Sequence, residues 1–384
     1  MEIKNKSILT IIILVICHLF VSFSASANRH QFIRIAVAKN AQDIVLTIKG
    51  DYRVVNAETN EILDERRRLA TNKVYYDSGS FLIDGKQYAV NHIRLIPRKY
   101  FYIKVNKENI KYRGVVELII TKANNFNVVN ILELEKYVRG VLYHEISDKW
   151  PMEAMKAQAV AVRSYAMYQI AVNKDQMFDV TNDIYSQVYG GKSAERYRTN
   201  LAVKRTRNKV LMFDGTVLPA YFHSNSGGQT EDVRELWKHD LAPLQGVKSD
   251  YSIGMPGYKW KRNVQLSHVQ DRLNTYGYKL GLIENIEILS HTKSGRIDML
   301  RITTRKGKKI EMSGKKFRDS VGPNLIRSNM YSITMQGYFF DIEGYGWGHG
   351  VGMCQWGANK MSKERKKYKE ILSFYYPGAK VQAY

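Results

Sequence analysis

Between Leu132 and Tyr168 the chain reads LELEKYVRGVLYHEISDKWPMEAMKAQAVAVRSYAMY, the stretch that most narrows what it can fold into. Leu134, Val138, Val141 and Leu142 recur close to helical spacing and predict a first helix. A break follows. Ser147 and Asp148 offer capping oxygens there, and Pro151 suits a first helical turn, where its missing N–H costs nothing. Met152, Met155, Ala159, Val162, Ala166 and Ile170 then form one stripe of a second helix, so that face belongs to a core. The rest of this helix is unusual for a surface. Lys156 and Arg163 share one side and Gln158 and Tyr165 another, among alanines small enough for other backbones to come close. Glu145 sits at the break with His144 and Trp150 beside it. Two readings fit it: a carboxylate stabilised by the dipole of the following helix, or a general acid among aromatic rings, its pKa raised by desolvation.

Residues 1–27 have the form of a secretory leader: Lys4 and Lys6, an apolar run from Ile8 to Phe23, and Ala25-Ser26-Ala27 as a cleavage site. Thr10, His18 and Ser22 interrupt the run and make it a poor permanent span, an uncleaved anchor being the alternative. Either way the remainder is exported. Without Lys4, Lys6 and Glu2 the chain keeps 57 basic and 35 acidic residues, a net +22. That sign calls for acidic partners, or serves solubility alone. Export argues against nucleic acid, and there is no zinc-finger spacing, aromatic RNA-binding motif or recognition helix. No basic amphipathic helix stands out for membrane docking, so a membrane enters only through an uncleaved leader. Cys354 is the single cysteine beyond the leader, so the fold must hold by its own core.

Asn28 to Asn130 reads as all-β. Runs such as Phe32–Ala38, Asp43–Ile48, Ile93–Ile96 and Val115–Thr121 are separated by turns at Gly50-Asp51, Asp84-Gly85 and Arg113-Gly114. Arg66-Arg67-Arg68 reads as a solvated charge run, and no catalytic constellation is visible there. Further on, Tyr185, Gln187 and Tyr189 alternate as on a strand or extended loop. Asp214-Gly215 marks a hairpin whose second strand runs into His223-Ser224-Asn225-Ser226-Gly227-Gly228. Those glycines allow close approach to a ligand, or merely a loop with a helix capped at Thr230-Glu231. Residues 261–343 form a second β-rich segment, with a helix at Leu266–Tyr276 and a short one at Phe317–Ser320. In GYGWGHGVGMCQWGA, Gly344–Ala358, five glycines alternate with Tyr345, Trp347, His349 and Val351, a costly backbone best explained by close approach to something. A helix is expected from Met353.

Three long blocks carry a resemblance: YVRGVLYHEISDKWPMEAMKAQAVAVRSYA, FHSNSGGQTEDVRELW (Phe222–Trp237), and GYGWGHGVGMCQWGA followed by YKEILSFYYPG (Tyr368–Gly378). In order and content they resemble the SpoIID family, named for stage II sporulation protein D and including the LytB-type amidase enhancers; YRGVVELI (Tyr112–Ile119) is similar too. The resemblance implies an α+β, bilobed protein: a β-rich part over 28–130, then a SpoIID-type catalytic region with a central helix pair over 131–384. It also implies a peptidoglycan lytic transglycosylase. Glu145 occupies the place of the family's essential acid. It would protonate the glycosidic oxygen and then, as carboxylate, activate the sugar's own 6-hydroxyl to give a 1,6-anhydro product. Lys156, Gln158 and Arg163 would orient the acid or hold the lactyl carboxylate and acetamido groups, and Trp347 and Tyr189 would stack on sugar faces. His223, Ser224, Ser226, Gly227, His349 and Gln355 complete the expected substrate contacts. Glycan strands stripped of stem peptides are the expected substrate, in the periplasm or the external wall.

Some relatives bind zinc through a His and two Cys, but Lys174, Val180 and Ser186 stand near the corresponding places here, so no metal is expected. No cofactor is expected either. Two other chemistries use the same inventory. Cys354 with His349 or His223 would make a thiol hydrolase, although relatives commonly carry Ser at that position. A non-catalytic binder of wall glycan would instead assist a partner amidase.

Overall fold

The computed structural model describes residues 31–384 apart from 106, 107, 122, 123, 184 and 185. The leader expected over 1–27, and Tyr185, lie outside the described residues. From Ile33 to Tyr384 the chain is one compact unit built on three hydrophobic clusters. The fold is α+β with a β-rich N-terminal part.

Twelve strands come first: β1 (Phe32–Ala41), β2 (Asp43–Lys49), β3 (Tyr52–Asn56), β4 (Ile62–Arg66), β5 (Leu69–Asp77), β6 (Ser80–Ile83), β7 (Lys86–Tyr88), β8 (His92–Pro97), β9 (Tyr100–Val105), β10 (Glu108–Tyr112), β11 (Val115–Ile120) and β12 (Phe126–Glu133). They form two sheets. Six strands are ordered β10-β9-β2-β5-β6-β7. The other six join β13 (Val180–Thr181) in the order β13-β1-β12-β11-β8-β3-β4, with β13 parallel to β1. Alternation along each strand sends Ile44, Leu46 and Ile48 of one sheet and Ile93, Leu95 and Leu118 of the other into a shared core. Arg66 is not merely solvated, since it pairs with Asp64 and Asp84.

The expected helix pair is α1 (Leu134–Glu145) and α2 (Met152–Val172), with Pro151 as the residue before α2. Met155, Ala159, Val162 and Ala166 pack into the core of the sheets, as their stripe implies. The opposite face of α2 is buried as well. Ala157, Val160 and Ala161 belong to a second cluster with Leu211, Met353 and Leu372. The alanines therefore make α2 the axis between two cores, with backbone close on both sides.

The remaining elements are α3 (Tyr197–Arg205), β14 (Lys209–Phe213), β15 (Thr216–Val217), β16 (Phe222–His223), α4 (Val233–Trp237), β17 (Lys259–Gln265), α5 (Leu266–Thr275), β18 (Ile283–His291), β19 (Ile297–Thr304), β20 (Lys309–Ser313), α6 (Gly314–Val321), β21 (Met330–Gln336), β22 (Phe339–Tyr345), β23 (Met353–Cys354), α7 (Gln355–Lys363), α8 (Tyr368–Tyr375) and β24 (Lys380–Ala383). The Asp214-Gly215 hairpin forms between β14 and β15. Strands β17, β21 and β22 make one sheet and β18 to β20 another, and with α5 and α6 they enclose a third core around Trp260, Leu300, Phe317 and Phe340. Two expected helix starts move. The helix after the Gly-rich loop begins at Gln355, not Met353, and α4 is capped by Asp232, whose carboxylate accepts the Arg234 N–H.

Candidate active site

Two Gly-rich segments distant in sequence lie side by side. β16 runs parallel to β23, and Asn225 and Trp347 exchange backbone hydrogen bonds of 3.0 and 2.7 Å. Glycine is required where they touch: a Cβ on Gly348, at φ +111°, would stand 2.8 Å from the His223 Cβ. The pairing brings His223, Ser224, Trp347 and His349 to one cleft of about 460 Å³. Glu145, the last residue of α1, lies in its wall, and so does Gln355, the first of α7.

Glu145 is half-buried, and its carboxyl is pushed up to about 7. Burial is the main cause, because a low-dielectric wall disfavours the charged form. Its place at the negative end of α1 acts in the same direction. Two donors oppose the rise: the Gln355 amide Nε2, 3.3 Å from Oε2, and the Val188 N–H. The carboxyl is thus held between burial, which favours its neutral form, and two N–H donors, which favour its charged form, near the middle of its titration at neutral pH.

The two histidines are neutral. Burial drives His223 well below its usual range, helped by His349 and Arg296. Its Nδ1 faces the Val351 carbonyl at 3.0 Å, so Nδ1 carries the proton and Nε2 keeps a lone pair. His349, pushed down to about 3 by burial first and the Arg318 charge second, accepts the Val351 N–H at Nδ1, 3.1 Å away. Three buried polar atoms at the cleft have no partner among the described residues: His223 Nε2, Gln187 Nε2 and Asn329 Oδ1. Unpaired buried groups are costly, so a ligand that pairs them binds with that advantage. Gln187 is fixed by the Tyr137 hydroxyl, which donates to its Oε1 at 2.9 Å.

Several residues that sequence reasoning did not select also line the cleft. Tyr221 stacks on Trp237 with centroids 4.5 Å apart, making an aromatic wall beside His349. α6 and the chain after it contribute Lys315, Arg318, Asp319 and Asn329 to the same cleft. Tyr221 adjoins the FHS block and was within reach of the motif. The α6 residues had no local signal, since they come from the β-rich segment some 170 positions beyond Glu145.

Other expected contacts fall outside the cleft wall, each for a physical reason. Arg163 is fully buried and grips both oxygens of Glu135 at 2.8 and 3.0 Å and the Lys209 carbonyl, tying α2 to α1 and β14. Lys156 pairs with Glu153 at 2.7 Å and lies over the Tyr368 ring. Gln158 is buried in α2 away from the cleft. Tyr189 is buried against Tyr137, and its hydroxyl donates to Asn130 at 3.0 Å; Gly140 leaves room for its ring, so it cannot stack on a sugar. Ser226 is fully buried, its N–H directed at the Cys354 sulfur, and Gly227 turns its N–H to the Asn225 side chain. Cys354 is buried with its thiol pushed up by desolvation, and it receives the N–H groups of Ser226 and Gly357. A protonated thiol that fastens two loops is poorly placed as a nucleophile. Glu231, a carboxylate of the FHSNSGGQTEDVRELW block, is bound by Thr292 and Ser294 and does not line the cleft.

Fold and cleft together define an α+β protein with a desolvated carboxyl in the wall of a polar and aromatic groove. The family model described as "Stage II sporulation protein" (SpoIID) matches residues 122–213, and a domain of unknown function, DUF8618, matches 238–352. An uncharacterised protein of Brachyspira hyodysenteriae is 32% identical over 377 residues, covering 94% of this chain and 96% of the relative. Stage II sporulation protein D of Bacillus amyloliquefaciens is 30% identical over 284 residues, 69% of this chain and 78% of that protein. The amidase enhancer of Bacillus subtilis is 25% identical over 403 residues, 91% of this chain but 56% of its own length. The chain belongs to the SpoIID/LytB family.

Proposed function

We propose that this protein is an exported peptidoglycan lytic transglycosylase with Glu145 as its acid and base. The observation that carries the reading is the Glu145 carboxyl, held at about 7 in the wall of a cleft large enough for sugar residues. Protonated, it gives its proton to the glycosidic oxygen as the bond to the anomeric carbon breaks. As carboxylate it then takes the proton of the same sugar's 6-hydroxyl, whose oxygen bonds to the anomeric carbon. The products are a free 4-hydroxyl end and a 1,6-anhydro end, and no water is consumed. One carboxyl suffices, whereas glycoside hydrolysis ordinarily pairs two. Gln355 would orient the acid. His223, Gln187 and Asn329 would hydrogen-bond the sugar, and Tyr221, Trp237 and Trp347 would cover its apolar faces.

The likeness to the amidase enhancer favours a second reading, in which the same cleft binds glycan and assists a partner amidase without cleaving. Digesting intact and amidase-stripped sacculi with wild type and Glu145→Gln, followed by mass spectrometry, separates the two. Anhydro-ended fragments from wild type alone are expected, with more from stripped strands. Binding without cleavage of either substrate would leave the enhancer.

A further inference from the structure

On the outer face of the six-stranded sheet, lysines and tyrosines alternate with the buried residues. Lys111 of β10 stands opposite Tyr102 of β9, and Asn109 opposite Lys104. The Lys111 ammonium lies 3.6 Å from the centroid of the Tyr100 ring and 5.6 Å from that of Tyr102. A separate piece of chain turns toward the same rings. Lys192, in the 3₁₀ turn Gly191–Ala194, is 5.5 Å from the Tyr100 centroid, and Ser193 accepts the Lys111 N–H at 3.0 Å. Four residues on, the Arg196 guanidinium lies 4.2 Å over the ring of Tyr143. Tyr143 is two residues from Glu145, and Gly190 packs directly on the intervening His144. A row of cations thus runs from the sheet to the end of α1, with Lys111, Lys192 and Arg196 each held over a ring.

Lys104, Lys111, Lys192 and Arg196 form no ion pair among the described residues. The adjacent carboxylate, Glu195, is turned inward to Arg113 and Asn200. A lysine on β10, an edge strand, guards against unwanted pairing. That explanation does not reach Lys192 and Arg196, which are not on the sheet. Ring-held cations without counter-charges, ending beside the last turn of the helix that carries Glu145, suit a polymer with regularly spaced negative groups. We propose that this row is a docking track for a carboxylate-bearing glycan strand, which it holds outside the cleft while one linkage lies at Glu145. The identity of the strand rests on the glycan reading above; the anionic character of the ligand rests on the row itself.

The test measures binding, so it stands whether or not the protein cleaves. Full-length Glu145→Gln protein is titrated with long stripped glycan strands and with the same strands after their lactyl carboxylates are reduced to alcohols. The background is then changed in two ways: Lys111→Glu with Lys192→Glu on the row, and Lys306→Glu with Lys309→Glu elsewhere on the exposed surface. Both pairs alter the net charge equally, and circular dichroism checks that both fold. About tenfold tighter binding of the carboxylated strands is expected, fading with salt. The row pair is expected to abolish that preference and the matched pair to keep it. Equal affinity for the two strands, equal loss in both pairs, or capture of phosphatidylglycerol vesicles in place of strands would each overturn the proposal. Should wild type bind in this way yet release no anhydro ends, the track stands and the transglycosylase reading falls.

Discussion

A carboxyl that must give a proton and take one back works best when its pKa lies near the working pH. At residue scale the account rests on Glu145, which burial raises from 4.5 to about 7 against the pull of the Gln355 and Val188 donors. Cleavage needs the protonated form first, so the rate should fall as pH rises through about 7. Glu145→Gln should lower it about 100-fold or more, measured as release of soluble fragments. The same shift acts on stability. The folded pKa is above the unfolded one, so the contribution of the bound proton is complete below about 4.5 and lost as pH rises through about 7. Glu145→Gln should therefore raise the melting temperature more at pH 8 than at pH 5. Gln355 donates to the carboxylate and lowers its pKa, so Gln355→Leu should move the alkaline limb of the rate profile upward. Glu145, which the structure places in the cleft wall, stood out in the sequence because it sits in an uninterrupted motif. Arg163 and Tyr189 were misread because a polar or aromatic side chain among small residues looks the same in sequence whether it awaits a ligand or is already paired inside.

At the scale of elements, α2 is the axis, and its alanines serve two cores at once. One stripe was visible as a 3.6-residue repeat; the second was not, since alanine carries little pattern and its packing depends on β14, α7 and α8, far along the chain. Arg163 fastens this axis. Arg163→Met leaves Glu135 without its cation and should cost about 3 kcal/mol, read from urea unfolding. Arg296 does comparable work for the two Gly-rich loops. It is fully buried and donates to the Ser226 and Gln229 carbonyls and the Ser294 hydroxyl, and at Gly350 a Cβ would meet its guanidinium at 2.5 Å. Arg296→Leu should speed amide hydrogen exchange at 223–228 and 346–352 while the core around Phe317 and Phe340 keeps its protection. Strands with clear alternation, such as β2 and β11, were readable, but β17, β21 and β22 were not. Their short runs are broken by charges such as Lys261, Asp341 and Glu343, which pair across the sheet or face water.

For the whole molecule, the arrangement brings together pieces that no local signal joins. The end of α1, two Gly-rich loops and α6 meet at one cleft, and the segment matched by the domain of unknown function supplies part of its wall. Sequence reasoning reached the class of fold through strand and helix periodicity, the loops through their glycines, and α6 as a short helix at Phe317–Ser320, but not the place of α6 at the cleft, because long-range packing decides what it faces. Among the described residues no helix is long and apolar enough to cross a membrane. The central claim is that one carboxyl breaks the glycosidic bond without water. It is tested most directly by digesting stripped glycan strands in ¹⁸O-labelled water and weighing the new ends. The account predicts anhydro ends free of ¹⁸O from wild type and none from Glu145→Gln; reducing ends carrying one ¹⁸O would contradict it and mean hydrolysis with a second catalytic carboxylate.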